Sequence, residues 1–177
     1  MSYNHSMKKY VLTGGPGIGK TTVIELLASR GFAILPEVAR MVTEEERLKG
    51  SVVLPWLDLE KYQEKVVDRQ LELEEKISAD TIFLDRGIID GYAYCKLGNV
   101  RVPKKLMENA PDRYHKIFLL EPLPFYSNDK TRFEDRDEAK KIHDSIIDAY
   151  REFGYEVILV PVLPPEKRAD FIISKID

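Results

Sequence analysis

The run Gly14-Gly15-Pro16-Gly17-Ile18-Gly19-Lys20-Thr21 carries the clearest chemistry in the sequence. It fits the phosphate-binding pattern G-x-x-x-x-G-K-[ST] in full. The glycines let the backbone curl, so that successive N–H groups point inward at phosphate oxygens. Pro16 stiffens the curl, Lys20 is a mobile ammonium able to reach the outer phosphates, and Thr21 offers a hydroxyl to magnesium. Residues Gly14 to Thr22 are therefore expected to hold a nucleoside triphosphate with Mg2+. The loop specifies neither the base nor the fate of the phosphate.

Asp85-Arg86-Gly87 is the second group of interest. Four apolar or β-forming residues, Thr81-Ile82-Phe83-Leu84, would carry Asp85 to the end of a strand. In an open parallel sheet that edge is where ligands bind. A carboxylate there can hold magnesium, and Arg86 can grip a phosphate or a carboxylate with its fork. Glu37, just after Pro36, lies at the same edge if the preceding run is also a strand. Its position equally suits a carboxylate favouring the positive end of a helix dipole. Either Glu37 or Asp85 could orient an attacking nucleophile.

These residues need a scaffold that brings strand ends together. Five short apolar runs read as strands: Lys9–Thr13, Phe32–Leu35, Thr81–Asp85, Lys116–Leu120 and Glu156–Val160. Helical patterns separate them, which argues for an α/β fold, a parallel sheet covered by helices on both faces. The first helix reads as Thr22–Ala28, closing near Gly31, and the second as Pro36–Val42. A long helix from Pro55 carries Trp56, Leu59, Tyr62, Val66 and Leu73 to Ile77 in one apolar stripe. Gln63, Arg69 and Gln70 lie at its edge and read as an ordinary polar flank, with the lining of a substrate pocket as the alternative. Glu44-Glu45-Glu46 reads as a solvated helical end, because adjacent helical residues diverge. Pro103–Asn109 is a short helix. Tyr126 to Arg136 has no apolar period and reads as an exposed loop leading into a helix through Ala139, Ile142, Ile146, Tyr150 and Phe153. A last helix covers Glu166–Ile176.

The 177 residues suit one domain over 8–177, with 1–7 as a tail or tag remnant. A hydrophobic share of 44% against 32% charged marks a globular chain. The net charge of −3 gives no reason to expect a nucleic-acid partner. Cys95 is the sole cysteine, so neither an internal disulfide nor a thiolate metal cluster is available, and it reads as a small buried residue. His5, His115 and His143 show no metal spacing. No run reaches membrane-span length and no leader pattern opens the sequence, so a cytoplasmic location is expected.

In order, the phosphate loop, Pro36-Glu37, Asp85-Arg86-Gly87, the arginine-bearing loop and the proline-rich turn after the fifth strand resemble the P-loop kinase-like ATPases. The resemblance is strongest to the predicted-ATPase family related to the nicotinamide riboside kinase domain of the bacterial NAD-synthesis regulator. It extends more distantly to deoxynucleoside and thymidylate kinases. It implies a P-loop NTPase fold with sheet order 2-3-1-4-5. It also implies ATP as phosphate donor, Asp85 and Thr21 near magnesium, Arg86 near phosphate and Glu37 as the group accepting a substrate hydroxyl's proton. Arg132 and Arg136 would belong to a lid, and the turn Pro161 to Pro165 would pack near the adenine. Gly87 departs from both kinase groups: thymidylate kinases carry a bulkier residue there and deoxynucleoside kinases a serine. The acceptor pocket therefore does not carry over. The expected function is a small-molecule kinase acting on a nucleoside-like or vitamin-like hydroxyl, with a regulatory nucleoside triphosphatase as the alternative.

Overall fold

Alternation along buried strands sends neighbouring side chains to opposite faces of a sheet, and apolar residues at every position call for helices on both sides. The structure, a computed structural model, describes residues 7–122 and 136–176 and contains that sandwich. Its strands are β1 (Lys8–Thr13), β2 (Ala33–Leu35), β3 (Thr81–Asp85), β4 (Lys116–Leu120) and β5 (Val157–Val160). All pair in parallel, in the order β2-β3-β1-β4-β5. This is the order implied by the P-loop kinase resemblance.

On one face, Tyr10, Leu12, Phe83, Phe118 and Leu120 pack against helices α1 (Lys20–Ser29) and α7 (Pro165–Ile173). On the other, Val11, Ile82, Leu84, Ile117 and Leu119 meet α2 (Val38–Leu48), α3 (Leu59–Lys76), α4 (Ile88–Leu97) and α6 (Arg136–Glu152). The short α5 (Lys104–Asn109) buries Leu106 in the same core. Met7 packs against it from the start of the described chain. Leu12 stands opposite Asp85 in the register, so β1 and β3 deliver the phosphate loop and Asp85 to one edge.

Several boundaries differ from the sequence reading. Helix α2 starts at Val38, not at Pro36, because Glu37 keeps a non-helical ψ of 104° and is the residue flanking the first turn. Helix α3 starts at Leu59, after a turn in which Leu57 and Asp58 donate to the Leu54 carbonyl. Asp58 then accepts from the Lys61 N–H, a cap contributing about 1 kcal/mol. Trp56 consequently falls outside the apolar stripe and is 63% exposed. Helix α7 stops at Ile173.

Glu46 is also not a solvated helical end. It is buried between Lys65, at 2.7 Å, and Lys49, at 3.3 Å. The hydrogen bond from Lys65, helped by Ser51, holds its carboxyl down to about 2. The cause is tertiary: α3 packs across α2 and presents Lys65 to it. Cys95 is buried in α4, and burial pushes its thiol up to about 11, consistent with a packing role.

Candidate active site

The phosphate loop leaves β1 at Thr13 and turns at Gly14, where φ is +133°. A Cβ there would lie 2.5 Å from Ile18 Cδ1 and 3.0 Å from the Leu120 carbonyl, so only glycine passes. Gly19, at φ +88°, flanks the start of α1 in the left-handed conformation, and Lys20, Thr21 and Thr22 form the helix's first turn. Those opening N–H groups are the ones a helix cannot satisfy itself, which makes them an anion site. The Lys20 ammonium donates to the Gly15 carbonyl at 2.7 Å, folded back across the loop. Burial, then the Arg86 charge, lowers its pKa to about 7 against the opposing pull of Asp85, Glu37 and Asp90.

Two distant side chains clamp this loop. His143 on α6 accepts the Gly15 N–H on Nδ1 at 3.1 Å, and burial lowers its pKa, which favours the neutral ring this bond requires. Arg168 on α7 donates to the Ile18 carbonyl and to the Glu121 carbonyl, both at 2.8 Å, and to Pro161 at 3.1 Å. It thereby ties the loop to the turns that follow β4 and β5, the latter being the stretch assigned to the adenine.

Arg86 follows β3 with φ +71°, uncommon for a residue with a side chain. Its backbone is held on both sides. Its N–H donates to Leu12, and its carbonyl accepts from Gln70 at 3.1 Å. The guanidinium then reaches the Gly14 carbonyl at 3.1 Å, the Asp90 carboxylate at 2.8 Å and the Glu37 carboxylate at 3.2 Å. Burial works against its charge, but Tyr94, Asp90 and Glu37 more than offset this and raise its pKa above the ordinary arginine value. Asp90 is the centre of the cluster, also accepting from Thr13, from Tyr150 at 2.7 Å and from the Gly87 N–H at 3.1 Å.

Asp85 is different. It is 4% exposed, yet its Oδ1 has no hydrogen-bond partner. Burial pushes its carboxyl up to about 6, opposed by the nearby Lys20 charge. A buried carboxylate oxygen left unsatisfied beside a phosphate loop suits magnesium. Among the described residues no three His, Cys, Asp or Glu side chains gather as a metal cage. Thr21 and Asp85, completed by a nucleotide's own phosphates, match how magnesium is usually held.

Beside this centre a cavity of about 520 Å³ opens between α2, α3 and α4. Glu37, Arg86, Asp90, Tyr62, Gln63 and Gln70 are among the residues that line it. Gln63 and Gln70 are thus not a polar flank: they are 4% and 3% exposed, on the buried side of α3. Arg69 alone fits the earlier reading, pairing with Glu45 and Glu72 on the surface of the helices.

The structure brings Lys20, Glu37, Asp85 and Arg86 to one sheet edge. Arg132 lies outside the described residues, and so does the side chain of Arg136. Asp90, His143 and Arg168 were not assigned roles from the sequence, whereas Gln63 was named there with pocket lining as the alternative reading. A helical position three residues past Gly87 was the only local signal for Asp90; His143 and Arg168 carry none.

The model of a family described as an AAA domain matches residues 9–168. The chain belongs to that family. No curated protein matches it. Among solved structures, the AAA-domain chain resembles NadR in complex with NAD and AMP-PNP, at TM-score 0.66 and 20% identity. That match covers 97% of this chain and 51% of the NadR chain, so this chain spans about half of NadR's length. Shikimate kinase from Acinetobacter baumannii in complex with shikimate is similar over 96% of this chain and 93% of its own, at TM-score 0.57 and 19% identity. Deoxyadenosine kinase from M. mycoides is similar over 94% and 97%, at TM-score 0.58 and 15% identity. At such identities the shared property is the P-loop kinase-like fold. No described helix is long and apolar enough to cross a membrane.

Proposed function

We propose that this protein is a magnesium-dependent kinase that moves the γ-phosphoryl group of ATP to a hydroxyl of a small molecule. The observation that carries the reading is the cavity beside the phosphate loop, lined by Glu37 and Arg86. A switch that hydrolyses nucleotide needs no second compartment for an organic acceptor, whereas a kinase does. The folds of shikimate and deoxyadenosine kinases lend further support.

In this reading the loop N–H groups and Lys20 hold the triphosphate. Thr21 and Asp85 would hold magnesium, which would supply positive charge to the phosphates when bound. Glu37, oriented by Arg86, takes the acceptor's hydroxyl proton. The acceptor oxygen forms its bond to the γ-phosphorus as the bond to the β-phosphate oxygen breaks, and the electron pair leaves on ADP. Arg132 and Arg136 are assigned to the phosphates during transfer, where added positive charge counts most.

The test is an acceptor screen. Purified protein with ATP and Mg2+ is offered nucleosides, nucleotides and vitamins, and ADP release is followed. Release that depends on one class of compound is expected. Release indifferent to every added compound sinks the kinase reading in favour of a triphosphatase.

A further inference from the structure

Glu74 has no part in the chemistry so far, yet it is wholly buried near the end of α3. Its Oε2 accepts from Lys9 Nζ at 2.9 Å and pairs with Arg113 through Nε at 2.9 Å and Nη2 at 2.7 Å. A buried ion cluster of this kind is weak ground for stability, because apolar side chains of similar volume often serve as well. What distinguishes this one is the use made of the other oxygen.

Glu74 Oε1 accepts from Gln70 Nε2 at 3.2 Å and from the Tyr114 hydroxyl at 3.3 Å. Both groups pass the contact on. Gln70 Nε2 also donates to the Arg86 carbonyl at 3.1 Å, and the Tyr114 oxygen accepts the Ile88 N–H at 2.8 Å. Two relays from one carboxylate oxygen therefore end on either side of Gly87. Gly87 itself admits the Tyr114 ring, since a Cβ there would lie 2.8 Å from Tyr114 Cε2.

The carboxylate sets the polarity of both relays. Paired with two cations, it only accepts hydrogen bonds. Gln70 must then turn its nitrogen, not its oxygen, toward Glu74, and the same nitrogen meets the Arg86 carbonyl. The Tyr114 hydroxyl has one hydrogen, and giving it to Glu74 leaves a lone pair for the Ile88 N–H. Burial, then the Glu74 charge, holds the Tyr114 pKa well above the ordinary tyrosine value, so that hydrogen stays in place. The turn needs such support. Arg86 sits at φ +71°, a conformation that a residue with a side chain keeps only where its surroundings enforce it.

We infer that Glu74 is a positioning residue of the nucleotide site: through Gln70 and Tyr114 it holds the Arg86-Gly87-Ile88 backbone, and with it the guanidinium that braces the phosphate loop at the Gly14 carbonyl. The inference rests on the proposed function only in taking ATP as the ligand of the loop. It is measured without any acceptor.

The experiment uses the whole chain and two readouts: calorimetric affinity for ATP with Mg2+, and amide hydrogen exchange of Ile88 relative to Val11 in the central strand. The ratio of the two exchange rates removes any change in global stability, which a merely structural role would produce alone. Glu74→Gln keeps the size but puts an NH2 group where only acceptors fit. Turned to the cations it repels them, and turned to the relays it reverses them. ATP affinity should fall by about tenfold, and Ile88 should exchange about tenfold faster relative to Val11. Tyr114→Phe removes one oxygen and no charge, so it folds where Glu74→Gln does not, and it should move both readouts the same way. Lys9→Met takes away one cation, leaves both relays, and should move neither. Glu74→Gln added to Tyr114→Phe and Gln70→Leu together should weaken ATP no further. Wild-type ATP affinity in Tyr114→Phe, an unchanged exchange ratio in that variant, or an equal loss in Lys9→Met overturns the inference. The kinase reading fails separately. An acceptor screen that finds only hydrolysis refutes the kinase and leaves these expectations standing, whereas unchanged ATP affinity in the variants of a protein that does phosphorylate an acceptor refutes the positioning role alone.

Discussion

Arg86 donates its Nε–H to the Glu37 carboxylate at 3.2 Å, joining residues 49 positions apart in the wall of the cavity beside the phosphate loop. Glu37 makes no capping bond to α2, although it flanks the first turn of that helix. The dipole account of this glutamate therefore does not exhaust its role. Its side chain is turned toward the site and held there.

Glu37→Gln preserves the shape of this arrangement and removes its readiness to take a proton. ATP affinity should stay near wild type, while acceptor-dependent ADP release falls by about two orders of magnitude or more. Both quantities are measured side by side. Near-normal phosphorylation by the variant would rule out Glu37 as the base and leave Asp85 as the candidate.

Arg86→Ala tests a different property of the same contact. The guanidinium joins Asp90, Glu37 and the Gly14 carbonyl, and its loss strands the buried Asp90 charge. Breaking a buried pair this way costs about 3–5 kcal/mol. Urea denaturation should show a loss of that order, together with weaker triphosphate binding as the loop slackens. An unchanged midpoint would mean that Asp90 is adequately held by Thr13, Tyr150 and the Gly87 N–H alone.

Asp85 sets a pH dependence. Its carboxyl is pushed up to about 6 by burial, so the free protein binds this proton more tightly folded than unfolded. The stability it contributes is full below about pH 4 and is lost as pH rises through about 6. Asp85→Asn should therefore melt higher than wild type at about pH 8, with the gap closing toward about pH 4. With Asp85 as the proposed magnesium ligand, magnesium-nucleotide affinity should run the opposite way, because only its ionised carboxylate would serve the metal. In wild type it should fall as pH drops through about 6. In Asp85→Asn it should be weak, and the part of that fall due to this carboxyl should be missing. Parallel melting curves and parallel binding profiles for the two proteins would discard the metal assignment.

Lys20→Ala should lower triphosphate affinity and abolish turnover while the fold survives. The ammonium bonds only to loop carbonyls among the described contacts, and its charge is already disfavoured by burial. Circular dichroism and nucleotide titration are the readouts, and unchanged turnover would remove the functional reading of the loop.

The Gly14–Thr21 loop and the five strands were legible in the sequence for one reason: the rules that govern them act within a few residues. Glycines that free the loop to curl and apolar runs of strand length are local consequences of residue type, and Gly14 and Gly19 do take positive φ, although the first helix, read from Thr22, opens at Lys20. Even there, the exact starts of α2 and α3 escaped, because Glu37 and Asp58 flank their helices for reasons of neighbouring turns. What only the tertiary structure decided is which distant side chains meet. Gly15 and His143 are 128 positions apart and Thr13 and Asp90 are 77 apart, and each pair is joined because parallel strands bring their carboxyl ends, with the helices that follow, to one edge. Gln63 and Gln70 have the same residue types as any solvated helical flank. They became cavity lining because α3 packs with α4 on one side and α2 on the other, a burial that composition along α3 alone does not encode.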